Sequence, residues 1–151
     1  MSDIVRGSRT IFEAKCPECG GLMASMGLDF ESPKKTDTKA WTHMERLYSV
    51  GVTFHSCGCT GPGYIPSSKE KLIEYFEKII CIYQSNLAFW RQRTEPSTER
   101  ELQREKSKYW KFLSKIPQTI TPKKGAIATD DAKKYWLDKI KQVEEKILSI
   151  Q

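Results

Sequence analysis

The chain has 151 residues, of which 38% are apolar and 29% are charged, and its formal net charge is +6 at neutral pH. This composition excludes a disordered chain, and no apolar run approaches the roughly 18 residues that a membrane span needs. The polar first ten residues predict no secretory signal, so we expect a cytoplasmic protein. The excess of basic residues lies entirely after position 66, which indicates an acidic partner.

In the first part of the chain, three short segments are predicted as β-strands: 10–14, 22–26 and 52–54. Between the second and third of these, Asp37 is predicted to cap a helix that runs to about residue 50 and stops at Gly51. Residues 1–66 are therefore expected to form a small β module with a helical insert.

Four of the five cysteines form two close pairs in this part of the chain. Without an export signal, such pairs favour metal binding over disulfides. The first pair, in Cys-Pro-Glu-Cys-Gly-Gly, can turn tightly beneath one metal ion, and the single glycine in the second pair still lets both sulfurs reach it. Because a closed structural zinc site needs four ligands, we expect one structural Zn²⁺ bound by Cys16, Cys19, Cys57 and Cys59.

Three other interpretations of these cysteines carry less support from the sequence. A redox dithiol would place Cys16 at a helix N-terminus, but the motif runs into Gly20-Gly21 and a predicted strand. Disulfides are disfavoured by the expected compartment. His55 could replace a cysteine ligand, since on a strand it projects to the same side as Cys57, but we expect it to flank the site.

The CPECGG motif followed by a second short cysteine pair resembles the zinc-ribbon class of small metal modules over about residues 10–66. The sequence departs from the usual pattern in its Cys-Gly-Cys second pair and in the long insert between the pairs. The resemblance implies that the metal holds a small sheet together, so removing the metal should unfold this part. It implies no particular function, since such modules serve many.

After residue 66 the pattern becomes helical. Capping residues indicate three helix starts: Ser67 with Glu70, Thr98 with Glu101, and Thr129 or Asp130. Apolar residues at spacings of three and four extend these helices to about residues 93, 116 and 150. Residues 67–151 are therefore predicted to form a three-helix bundle or a long helical hairpin, and the whole chain an α+β protein with a zinc-ribbon-like module.

Basic residues cluster between positions 104 and 124, where Glu105 is the only acidic residue. Lys108, Lys111 and Lys115 lie three and four residues apart, so they are expected to share a helix face. Such a surface would contact phosphates in a salt-dependent way, and Trp110 could stack on an unpaired base. A solvated helix face is the alternative interpretation. The cluster comprises Arg104, Lys106, Lys108, Lys111, Lys115, Lys123 and Lys124.

Catalytic motifs are missing from the sequence: there is no Gly-rich phosphate loop, nucleophile elbow or paired-carboxylate motif. A zinc ion closed by four cysteines cannot activate water, so we expect no enzyme. The expected function is binding of nucleic acid or a nucleoprotein complex through the basic, aromatic-rich helical surface. The alternative is a protein–protein adaptor or inhibitor, such as one encoded by a phage or another mobile element, that blocks a host nucleic-acid-processing or defence enzyme.

Overall fold

The structure is a computed structural model that describes residues 14–55, 61, 63–122 and 125–151. The described residues form four α-helices: α1 (Thr38–Ser49), α2 (Lys69–Gln92), α3 (Glu99–Leu113) and α4 (Thr129–Ile150). None of these four helices combines the length and the apolar character that crossing a membrane would require.

The predicted α+β fold with a β zinc-ribbon module is wrong, because the described residues are helical and contain no sheet. The first two predicted strands, 10–14 and 22–26, were expected to pair around the first cysteine pair, but the described residues there contain an isolated antiparallel bridge between Lys15 and Leu22. Residues 10–13 of the first predicted strand lie outside the described residues. Leu22 and Met23, expected on a sheet, are 67% and 57% exposed, so no second layer covers them.

The third predicted strand, 52–54, fails for a local reason. Phe54 donates its backbone N–H to the carbonyl of Met26 at 2.6 Å. Gly27, which follows Met26, adopts a φ of +104°, and this conformation turns the chain after Met26 out of the extended direction. A ladder therefore cannot continue along this pair of segments. The side chains of Val52 and Phe54 pack against the helical core instead, and this contact explains the alternating pattern in the sequence.

Helices α2 and α4 form a long antiparallel hairpin. At one end Lys69 Nζ donates to the backbone carbonyl of Gln151 at 2.9 Å. At the other end Arg93, directly after α2, donates from Nη1 to Thr129 Oγ1 at 2.9 Å. This hairpin is the scaffold to which the other two helices attach.

Each end of the hairpin carries its own hydrophobic core. The core at the start of α2 includes α1 and consists of Leu47, Val50, Leu72, Phe76, Val143 and Ile150. The core at the end of α2 includes α3 and the segment before α4, and consists of Leu87, Trp90, Leu113, Ile116, Ile127, Ala132, Trp136 and Ile140. Ile80 and Tyr83 pack against both cores and so connect them.

The helix ends follow the capping residues closely. Asp37 accepts a hydrogen bond from the Ala40 backbone N–H at 3.0 Å, and Gly51 ends α1 with a φ of +78°, as predicted. Thr98 and Glu101 form the predicted reciprocal capping box at the start of α3. Helix α2 begins one residue later than predicted, because Ser68 and not Ser67 caps it.

Helix α3 docks on the end of α2 through aromatic side chains. The ring of Phe89 stacks on that of Phe112, with centroids 4.3 Å apart and planes 9° apart, and lies 5.2 Å from the ring of Tyr109. The backbone of Tyr109 departs from helical geometry and kinks α3 there. The exposed residues of α3 therefore lie on a helix that is held at the end of the hairpin by this stack.

Candidate functional site

The first cysteine pair forms a compact turn. The carbonyl of Cys16 accepts the Gly20 N–H at 2.8 Å, and the Cys16 N–H donates to the Gly21 carbonyl at 2.8 Å. Gly20 has a φ of +70°, a conformation that side chains disfavour, so glycine is needed at this point of the turn. The bridge between Lys15 and Leu22 closes the base of the turn.

The turn also makes the Cys16 thiol more acidic. The pKa of its thiol is lowered, first by the backbone N–H of Cys19, then by that of Glu18 and by the Cys19 side chain. The thiolate is the form that binds metals, and Cys19 supplies a second soft ligand in the same turn. Cys16 and Cys19 are both free thiols, so their chemistry and spacing fit half of a thiolate zinc site.

The second half of the predicted ligand set, Cys57 and Cys59, lies outside the described residues. Within the described residues, no group of three or more potential ligands is present, so the turn at Cys16 and Cys19 is the part of the site that the structure describes. His55 is described and exposed to solvent.

The chain that leads to the second pair is held beside the chain that leaves the first pair. Besides the bond from Phe54 to Met26, the N–H of Asp29 donates to the Phe54 carbonyl at 3.3 Å. A Cβ atom on Gly27 would lie 2.4 Å from the Phe54 carbonyl carbon and 2.5 Å from the His55 nitrogen. Only glycine allows this close approach between the two segments.

Part of the predicted basic cluster lines one side of α3. Arg104 and Lys108, one turn apart, line an open groove together with Tyr109 and with three glutamates, Glu95, Glu101 and Glu105. The ammonium of Lys108 lies 5.0 Å from the centre of the Tyr109 ring. Lys111 is exposed in the next turn. These three cations are available to a ligand that approaches α3 from solvent.

Trp110 and Lys106 lie together in a second groove. This groove, of about 440 Å³, separates α3 from residues 116–122 and 125–127. Trp110 is 68% exposed, although large aromatic side chains are more often mostly buried. The sequence predicted Lys106 as a member of the basic cluster and Trp110 as an aromatic residue among those cations. It gave no sign of the groove, because the far wall comes from residues outside α3.

Lys115 differs from the other basic residues in its surroundings. Helix α3 ends at Leu113, so Lys115 is not on the helix face on which it was expected. Its ammonium donates to the side-chain carbonyl of the buried Asn86 on α2 at 3.2 Å and lies 6.0 Å from the Phe112 ring. These contacts fix the end of α3 against α2. Lys123 and Lys124 lie outside the described residues.

The one acidic residue of the cluster, Glu105, is removed from the surface by a buried ion pair. Both of its carboxylate oxygens accept hydrogen bonds from the guanidinium of Arg93. The side chains are 2% exposed for Arg93 and 10% for Glu105. Arg93 also donates to the carbonyl of Ile127 at 2.7 Å, and its guanidinium carbon lies 4.8 Å from the centre of the Trp90 ring. Sequence reasoning missed Arg93, since nothing local marks its partner twelve residues away.

The surface of α3 is therefore cationic over its second half. In the described part of the chain, no carboxylate oxygen lies within 4.0 Å of any cationic group among Arg104, Lys106, Lys108 and Lys111. By contrast, other helices pair some of their lysines with acids in the next turn, as Lys78 with Glu74 at 2.7 Å.

Comparison with known proteins adds no relative from which a function could be transferred: no family model, curated protein or solved structure matches the chain.

Proposed function

We propose that the chain is a non-enzymatic, cytoplasmic protein that binds nucleic acid, alone or in a nucleoprotein complex, through the exposed surface of α3. The phosphate contacts are assigned to Arg104, Lys106, Lys108 and Lys111, the cations that lack a carboxylate neighbour among the described residues. Lys123 and Lys124, which lie outside the described residues, stay predicted partner contacts on the evidence of the sequence alone. Lys115 stabilises the docking of α3, because it is bonded to Asn86.

The observation that carries this proposal is the buried pair of Arg93 and Glu105. A solvated helix surface normally mixes both signs of charge, and Glu105 would supply the negative charge here if it faced solvent. Because Arg93 neutralises it in the interior, the part of α3 after Glu101 presents exposed cations and no exposed carboxylate, and this part attracts anions. Closely spaced cations of this kind match the repeating phosphates of a nucleic acid backbone.

One structural zinc ion, bound by Cys16, Cys19, Cys57 and Cys59, completes the proposal. The turn at Cys16 supports it through its two thiols and the lowered pKa of Cys16. Bound zinc would crosslink two chain segments and contribute folding free energy, on the order of 10 kcal/mol for structural zinc sites. The four thiolates would fill its coordination sphere, so the ion would have no catalytic role.

The nucleic-acid proposal is tested by fluorescence anisotropy with labelled oligonucleotides over a salt series. We expect the affinity to fall steeply with salt, and the double variant Lys108→Glu/Lys111→Glu to flatten the slope of log K against log[salt] by about 1.4 for a single strand. Lys134→Glu/Lys141→Glu on α4 is the matched control, because it changes the net charge equally. Equal loss of affinity in both variants would contradict a site on α3.

The metal proposal is tested by metal analysis of the purified protein. One equivalent of zinc is expected, and Cys16→Ser should lose it. Cys81→Ser is the matched control, since Cys81 is an exposed thiol on α2. Retention of zinc by Cys16→Ser would rule out the proposed ligand set.

The alternative function, an adaptor or inhibitor that docks on an acidic protein surface, uses the same cations. It predicts no detectable oligonucleotide binding even at low salt, whereas the nucleic-acid proposal predicts its tightest binding there. The salt series therefore separates the two functions.

A further inference from the structure

The groove between α3 and residues 116–122 and 125–127 has the size and the lining of a small-molecule site on the proposed binding surface. Its volume of about 440 Å³ lies within the range of about 300–1,000 Å³ that is usual for such sites. Its floor is apolar: Leu113, Ile116 and Ile127 belong to the core at the end of the hairpin, and Leu102 completes the floor, all four at most 9% exposed.

The rim of the groove offers the groups that an unpaired nucleobase would use. Trp110 presents an indole face, on which a base can stack. Ser114 and Gln118 also line the groove, and neither side chain has a hydrogen-bond partner in the described part of the chain. Both can exchange hydrogen bonds with the polar edge of a base.

The charge around the groove favours an anionic ligand. Lys106 lies one helical turn before Trp110 on the same rim, where it can contact the phosphate next to a stacked base. Glu105, the acidic residue among the groove's described lining residues, has both oxygens bonded to Arg93. The groove thus combines an apolar floor, a stacking face and a net positive rim.

We infer that this groove binds one unpaired base of a single-stranded nucleic acid, with the base against Trp110 and the neighbouring phosphate on Lys106. The inference rests on the proposed function and adds to it the strand type and the site of the base. A duplex cannot make this contact, because its bases are already stacked and paired.

The test compares a single strand of about 12 nucleotides with an abasic strand of equal length and charge. The full chain should bind the intact strand roughly 5- to 150-fold more tightly, the range expected for one stacked base. Equal affinity for the two strands would overturn the base site while leaving the phosphate contacts of the proposed function intact. Failure to bind either strand would contradict the proposed function itself, and affinity for a duplex equal to that for the intact strand would also overturn the inference.

A pair of variants assigns the effect to the groove. Trp110→Ala should lower the affinity for the intact strand to that for the abasic strand and leave abasic binding unchanged. Leu148→Ala on α4 is the matched control, because Leu148 is also 68% exposed. Trp110→Phe should retain part of the preference for bases. Retention of the full preference by Trp110→Ala would overturn the inference. If a variant fails to fold, the comparison of intact and abasic strands with the unaltered chain still tests the base site.

Discussion

Helices α3 and α4 are attached to α2 in different ways. Helix α4 runs antiparallel to α2 along its whole length and buries large side chains such as Trp136, Ile140 and Val143 in both cores. Helix α3 is attached at the end of α2, through Leu113 in the core there, the stack on Phe89 and the ion pair of Glu105 with Arg93. The first arrangement stabilises the scaffold, whereas the second holds a helix in place and leaves most of its surface free.

The two helices also differ in their surface charges: some cations on α4 are paired with acids, whereas the exposed cations on α3 are not, within the described part of the chain. On α4, Lys133 lies 3.2 Å from Asp130 and Lys141 lies 3.9 Å from Glu145, so cations and acids alternate on the surface. On α3 the only acid after position 101 is buried. The comparison teaches that the scaffold and the proposed binding surface are separate helices, and the following predictions test that separation.

The largest expected effect is on the scaffold. Trp136 is 4% exposed, so Trp136→Ala should lower the free energy of unfolding by about 3–5 kcal/mol. Trp110→Ala should change it by no more than about 0.5 kcal/mol, because Trp110 is mostly exposed. Denaturant unfolding measures both. Similar losses in the two variants would show that α3 is as much a part of the scaffold as α4.

The attachment of α3 should respond strongly to loss of Arg93. In Arg93→Met the carboxylate of Glu105 stays buried without its partner, and the free energy of unfolding should fall by about 3 kcal/mol. The double variant Arg93→Met/Glu105→Leu removes the uncompensated charge and should recover most of this loss. A double variant as unstable as the single one would mean that the bonds of Arg93 to Ile127 and Thr129 matter more than the ion pair.

A smaller effect is expected from the aromatic stack. Phe112→Leu removes the stacking on Phe89 and should weaken the docking of α3 by about 1 kcal/mol. Amide hydrogen exchange should then become faster in α3 and stay unchanged in α4. Faster exchange in both helices would contradict the separation of the two regions.

The smallest effect concerns the start of α4. Glu95 accepts the backbone N–H of Thr129 at 2.6 Å, and this bond is the main reason why the pKa of Glu95 is lowered. The stabilisation is therefore present above the unfolded-state pKa and is lost as the pH falls through the folded-state pKa. Glu95→Gln should make the stability less dependent on pH in this acidic range. An unchanged pH dependence in acid unfolding would show that Glu95 contributes nothing measurable.

The helices could be predicted from the sequence because their signals are local. Asp37, Gly51 and the pair of Thr98 and Glu101 act on backbone groups within a few residues, so their types alone indicate where helices begin and end. The strands at 10–14 and 22–26 were predicted from their position on either side of the first cysteine pair, and the strand at 52–54 from alternation over three residues. That pattern also arises when an irregular segment packs on helices, as Val52 and Phe54 do, so it could not establish a sheet.

The candidate sites also contain some features that the sequence predicts and others that it does not. The turn at Cys16 and the cations of α3 are visible in the sequence, because spacing and residue type define them. The partnership of Arg93 with Glu105 and the groove beside Trp110 depend on how α3 docks, and no local pattern encodes docking. For the same reason Lys115 could not be distinguished from its neighbours until its bond to Asn86 was known.

The two junctions of α3 with the hairpin lie next to each other. Thr129, the first residue of α4, is bonded both to Arg93 directly after α2 and to Glu95 two residues further on. Residues 94–128 thus leave and re-enter the scaffold at one point, as an inserted module does. One continuous stretch of sequence could then be exchanged while α2 and α4 keep their order, if the replacement supplies the apolar side chains that Leu113, Ile116 and Ile127 give to the core. The proposed binding specificity is in this sense a transplantable part of the protein.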